Sequence, residues 1–219
     1  MLKALLFDLD GTLIDSEDFH LGCWNEILGE TGIKIDMDDW IENYSGVPMP
    51  ANAKRLIEKY GLLVSHDKLV KKRESVTLNR LQTVAISLMP FAVETLEFFK
   101  EKGLILALVT GSARRDVETI FERNGLSKYF DLVITRSEVT DSKPHPESYE
   151  LCCRKLGLAP NECIAFEDTV NGIKSAKAAN VICYAIQSRT AEHAKLDAAD
   201  KIFLDLNAAK QYLAGSGLL

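Results

Sequence analysis

The feature that most constrains this chain is a series of short apolar runs separated by stretches of helical periodicity. The runs occupy residues 4–7, 105–109, 132–134, 163–166, 181–186 and, more weakly, 202–204. Strands that alternate with helices build βαβ units, and these form a parallel sheet covered on both faces. The expected fold class is therefore α/β.

The intervening helices carry their own punctuation. The segment PFAVETLEFFKEKG, residues 90–103, begins at Pro90, repeats apolar side chains at Val93, Leu96 and Phe99, and ends at Gly103. SARRDVETIFERNG, residues 112–125, offers Ser112 as N-cap, an apolar face of Val117, Ile120 and Phe121, and Gly125 as terminator. Between Ser16 and about Ala85 strand patterning stops. Helices broken near Gly32, Gly46-Val47-Pro48 and Gly61-Leu62 take its place, with Ala53, Leu56, Ile57 and Tyr60 on one stripe. Some 70 residues exceed the usual connection of about 2–6 residues. The expected organisation is a discontinuous core, residues 1–15 and 86–219, with a helical cap domain inserted at 16–85.

Composition narrows the function. With 47% hydrophobic and 26% charged residues, the chain is an ordinary globular protein. Its formal charge of −6 leaves no broad basic footprint for nucleic acid. The local run KLVKKRE, residues 68–74, reads as a solvated helix face, or as an attractor for a phosphorylated ligand. Five cysteines without CxxC spacing read as reduced thiols. No signal-peptide pattern precedes the first run and none approaches the ~18 apolar residues of a membrane span, so a cytoplasmic location is expected.

Ligands of open parallel sheets bind beyond the carboxyl ends of the strands. Asp8 and Asp10 follow the first run, in DLDGT, and strand alternation sends both to one side. Crowded carboxylates repel unless a cation joins them or one stays protonated; an Asp-Gly pair also makes an ordinary turn. Thr110, Gly111 and Ser112 follow the second run, at a helix start suited to an anion. Lys143 lies after the third, between Ser142 and Pro144. Glu167 and Asp168 follow the fourth.

Each fragment has a plain structural reading as a cap, a surface lysine or a dipole-favoured charge pair. Together they fit phosphoryl transfer. Carboxylates from two strands would hold Mg²⁺, a hard cation that prefers oxygen ligands. Asp8 would attack phosphorus, Asp10 would act as general acid and base, and Lys143, Thr110 and the helix N–H groups would offset developing charge.

The ordered set DLDGT, TGS, SKPHP and FEDT resembles the four motifs of the haloacid dehalogenase superfamily, in its β-phosphoglucomutase-like branch of sugar phosphatases. The resemblance covers essentially the whole chain. It implies a Rossmann-like core with a helical cap, Asp8 as nucleophile, Asp10 as acid/base, and Mg²⁺ held by Asp8, the Asp10 carbonyl and Asp168 with help from Glu167. Thr110, Gly111, Ser112 and Lys143 would bind the phosphoryl group. Asp10 argues against the dehalogenases themselves, which lack this second aspartate.

In the cap, the resemblance brings forward Gly46 and Val47 of SGVPMPAN, and His20 near the acid/base. Where β-phosphoglucomutases carry an arginine for a distal phosphate, this chain has Met49. Arg55, Lys72 or Arg73 would have to replace it. Hydrolysis is therefore expected, with a β-phosphoglucomutase-type phosphotransferase as the alternative and a non-catalytic binding protein as a third reading. Asn180 stands where this family has glycine, at a site where Asn also tolerates the left-handed conformation. The expected partner is a small phosphorylated metabolite, with neither nucleic acid nor membrane, and the expected state is a monomer.

Overall fold

A computed structural model describes residues 1–219. In chain order, β1 (Ala4–Phe7) and β2 (Ile14–Asp15) precede four helices, α1 (Glu17–Gly29), α2 (Met37–Asn43), α3 (Met49–Tyr60) and α4 (His66–Thr83). After β3 (Ser87–Leu88) come α5 (Ala92–Glu101), β4 (Ile105–Val109), α6 (Arg114–Asn124), β5 (Leu132–Ile134) and α7 (Glu147–Leu156). The chain closes with β6 (Cys163–Glu167), α8 (Val170–Ala178), β7 (Ile182–Ile186), β8 (Lys201–Phe203) and α9 (Leu206–Gly215).

Two compact units result, one of residues 1–15 and 87–219, the other of residues 16–86. The first unit carries a parallel six-stranded sheet in the order β5-β4-β1-β6-β7-β8, with β2 and β3 as a separate antiparallel ribbon. This is the expected α/β architecture, with strand boundaries within a residue or two of the apolar runs. No helix is long and apolar enough to cross a membrane.

The central strands are buried on both sides because they are apolar at nearly every position, β6 ending in Glu167. On one face Phe7 stacks on Phe166 at 4.9 Å between ring centres, and Phe166 on Phe99 of α5 at 6.4 Å. On the other, Ala4, Leu6, Ala107, Val109 and Ala165 pack with Tyr149 and Cys152 of α7 and Ile173 and Ala176 of α8. All five cysteines are buried and unbridged.

Two helix starts differ from expectation. Pro90 does not open α5, because Phe91 adopts a left-handed φ of 64° and the helix begins at Ala92. Ser112 is not the cap of α6 either; Ala113 takes that position, while Gly125 ends the helix in the left-handed conformation as expected. Asn180 likewise has φ 60°.

The second unit is all helical. Its one clear departure is Arg73, which belongs to the charged run yet is only 3% exposed. Its guanidinium lies over the Trp24 ring at 5.3 Å and is 3.0 Å from His20 Nδ1. Lys68 and Lys71 of the same run face solvent as a charged helix face should.

Candidate active site

Strand alternation and register build the centre. Ala4 and Leu6 face α7 and α8, so Asp8, two residues on, follows them to the same side. In β6 the same period carries Cys163, Ala165 and Glu167 to that face. Phe7 is level with Leu108 on one side and Phe166 on the other. Asp8, Val109 and Glu167 therefore stand abreast at the carboxyl ends of three adjacent strands.

Lys143 ties these three together. Its Nζ donates to Asp8 Oδ1 at 2.7 Å, to the Val109 carbonyl at 2.8 Å and to Glu167 Oε1 at 2.5 Å. An ammonium has three N–H bonds, and each finds an acceptor. The loop that carries Lys143 is pinned on both sides. Glu147 accepts from the Thr140 and Asp141 amides, and Ser175 Oγ donates to the His145 carbonyl at 2.6 Å.

The carboxylates outnumber this ammonium. Burial pushes the Asp8 carboxyl up to about 7; Lys143 opposes that rise, and the Glu167 and Asp10 charges add to it. Burial would lower Lys143, but Asp8 and Glu167 more than compensate and hold it above its usual range. An Asp8 so placed needs more positive charge to stay ionised.

The residues present fit a hard cation. Asp8, Glu167 and Asp168 each offer a carboxylate oxygen within 4.8 Å of the others. Glu167 is fully buried, and its Oε2 has no hydrogen-bond partner while its Oε1 has two, Lys143 and the Tyr149 hydroxyl at 2.6 Å. A buried oxygen without a donor carries a desolvation cost that a cation removes. An oxygen-only donor set of this kind suits Mg²⁺.

Two glycines make room for the acidic groups. A Cβ at Gly172, in the first turn of α8, would fall 1.8 Å from Glu167 Oε2. One at Gly11 would fall 2.0 Å from Asp168 Oδ2, and Gly11 has φ +75°. The glycine of DLDGT is therefore fixed by conformation and by the neighbouring carboxylate together.

Asp10 is handled differently. Its Oδ2 accepts from Ser112 Oγ at 2.8 Å, and its side chain is not among the three clustered carboxylates. The hydroxyl expected to cap α6 thus bonds the second aspartate, and Ala113 takes the cap position. Thr110 is buried, and its Oγ1 accepts from the Ser112 amide at 3.1 Å. Gly111 is exposed between them.

The remaining sequence candidates, His20, Gly46 and Val47, belong to the helical unit. His20 stands on α1 beside Arg73. Gly46 has φ 68°, and the Val47 carbonyl accepts from Asn52 Nδ2 at 3.2 Å, which with a second bond to the Tyr44 carbonyl closes the turn before α3. Sequence reasoning missed Tyr149, Gly172 and the Val109 carbonyl. Period-2 alternation in β6 was the available signal, because it places Glu167 on the face that α7 covers.

A family model described as haloacid dehalogenase-like hydrolase matches residues 2–180. Fructose-1-phosphate phosphatase YqaB of Escherichia coli is 32% identical over 179 residues, which is 81% of this chain and 93% of that one. The phosphorylated carbohydrates phosphatase of Thermotoga maritima is 31% identical over 180 residues, 82% of each chain. Among solved structures, β-phosphoglucomutase from Clostridium difficile superposes with a TM-score of 0.81 at 21% identity, covering 98% of this chain and 96% of that one. That last likeness is one of fold.

Proposed function

The chain belongs to the haloacid dehalogenase-like hydrolases, in their β-phosphoglucomutase-like branch, and on that footing we propose that it is a Mg²⁺-dependent phosphatase acting on small sugar phosphate esters through a phosphoryl group carried on Asp8. The observation that carries this reading is the set at three strand ends. Asp8 stands 2.7 Å from Lys143, clustered with Glu167 and Asp168, while Asp10 is turned to Ser112.

Mg²⁺ held by Asp8, Glu167 and Asp168, with the Asp10 carbonyl, would supply positive charge that lets an anionic ester approach an anionic nucleophile. The chain's own groups do the rest. An Asp8 carboxylate oxygen bonds to phosphorus as the ester P–O bond breaks, and the electron pair leaves on the sugar oxygen. Asp10, as a carboxylic acid, protonates that oxygen. Asp10 then takes a proton from water, whose oxygen bonds to phosphorus as the Asp8–phosphorus bond breaks. Lys143 holds Asp8 in place, and Thr110 and Gly111 face the phosphoryl group at the end of β4.

Sugar esters are the substrate class because two curated relatives above 30% identity act on phosphorylated sugars. Selection among them is assigned to the helical unit, with His20, Gly46 and Val47 as candidates. Residues 46–50 carry no charged side chain to clamp a second phosphate, which favours hydrolysis over mutase chemistry.

Phosphorus NMR of the protein with Mg²⁺ and a panel of sugar monophosphates, including β-glucose 1-phosphate with a trace of glucose 1,6-bisphosphate, tests the reading. Inorganic phosphate should grow in. A signal that moves from the 1-ester to the 6-ester without free phosphate would overturn hydrolysis in favour of a mutase.

A further inference from the structure

We propose that Tyr149 is a positioning residue of this centre, whose hydroxyl fixes the Glu167 carboxylate so that Oε2 is presented as a cation ligand. The inference rests on the metal reading above and extends it to a residue outside the four motifs.

Tyr149 lies on α7, wholly buried among Cys152, Ala165 and Ile173. A buried phenol needs a hydrogen-bond acceptor. This one takes Glu167 Oε1 at 2.6 Å, within the acidic cluster. Its ring also backs the Lys143 ammonium, 5.2 Å from the ring centre. One side chain thus touches both members of the Lys143–Glu167 pair.

The effect on Glu167 is directional. Two donors, Tyr149 and Lys143, converge on Oε1, while Oε2 has none. Gly172 closes against the carboxylate from the α8 side. A carboxylate held by one oxygen and walled on one side cannot swing, so its other oxygen keeps its place. A phenol keeps its proton at neutral pH, its ordinary pKa being about 10, so the hydroxyl serves Glu167 as a donor. Hydrogen bonds of this kind to a ligand carboxylate typically change metal affinity by about 10–100-fold when removed.

The test compares wild type with Tyr149→Phe, which keeps the ring and its packing on Lys143. EDTA-stripped protein is titrated with Mn²⁺, and free Mn²⁺ is counted by electron paramagnetic resonance. Tyr149→Phe should bind Mn²⁺ roughly tenfold more weakly, with KM for the sugar phosphate and kcat at saturating Mg²⁺ each within about threefold of wild type. Equal Mn²⁺ affinity in the two proteins overturns the inference and leaves the phosphatase reading intact.

A Glu167→Gln background checks the route. There Tyr149→Phe should change Mn²⁺ affinity by less than about twofold; a further tenfold loss would mean that Tyr149 acts by another path and overturns the proposal. Absence of Mn²⁺ binding in wild type, with phosphate release that survives EDTA, would remove the metal reading and this inference together.

Discussion

Lys143 Nζ stands 2.7 Å from Asp8 Oδ1 although 135 residues separate the two in sequence. The contact closes because β1 and β6 are adjacent and the loop before α7 is tied at both ends. Both side chains are about 10% exposed, so the pair is effectively out of water. Removing one partner of a buried pair leaves the other charge uncompensated, at a cost of about 3–5 kcal/mol. Lys143→Met should lower the apo-protein's unfolding free energy by that order in urea, and Mg²⁺ should restore part of it. An unchanged urea midpoint would show that the pair contributes nothing.

Ser112 Oγ donates to Asp10 Oδ2 at 2.8 Å. If it orients the acid/base, Ser112→Ala should lower kcat roughly tenfold, as expected for the loss of about 1.4 kcal/mol in the transition state, and leave KM within about twofold. A variant with raised KM and unchanged kcat would return Ser112 to a role in ground-state phosphate binding.

Gly172→Ala would usually stabilise a helix, since alanine is the better helix former by about 1 kcal/mol. Here the added Cβ would overlap Glu167 Oε2 and Cδ, 1.8 and 2.0 Å away. The variant should therefore lose at least tenfold in Mg²⁺ affinity and gain no thermal stability. Wild-type activity with a raised Tm would mean that Glu167 has room to move.

Phe91 holds φ 64° with 43% of its surface exposed. A left-handed backbone costs a non-glycine residue about 1–2 kcal/mol, set here against the burial of only part of the side chain. Phe91→Gly should raise Tm by a few degrees, on the order of 2–4 °C; a fall would show that the ring's packing outweighs the backbone strain.

The sheet was legible because its strands are apolar at nearly every position and alternate with helices, as a parallel sheet covered on both faces requires. The candidate site was legible at strand ends for the same reason: Asp8, Thr110, Lys143 and Glu167 each follow an apolar run. Side-chain direction was not. Ser112 fits the sequence pattern of a cap but bonds Asp10, and Tyr149 fits the stripe of a core helix but donates to Glu167. Arg73 sits in a solvated-looking charge run yet packs on Trp24. In each case a partner distant in sequence decides the role, and local periodicity carries no information about it.

The central claim is that Asp8 carries the phosphoryl group. It is tested most directly by quenching the protein during turnover of a sugar phosphate and reducing it with borohydride, which converts an aspartyl phosphate to homoserine. Peptide mass spectrometry should then find homoserine at position 8 in the wild type, and Asp8→Asn should release no phosphate. Phosphate release undiminished in Asp8→Asn, with no homoserine at position 8, would contradict the account.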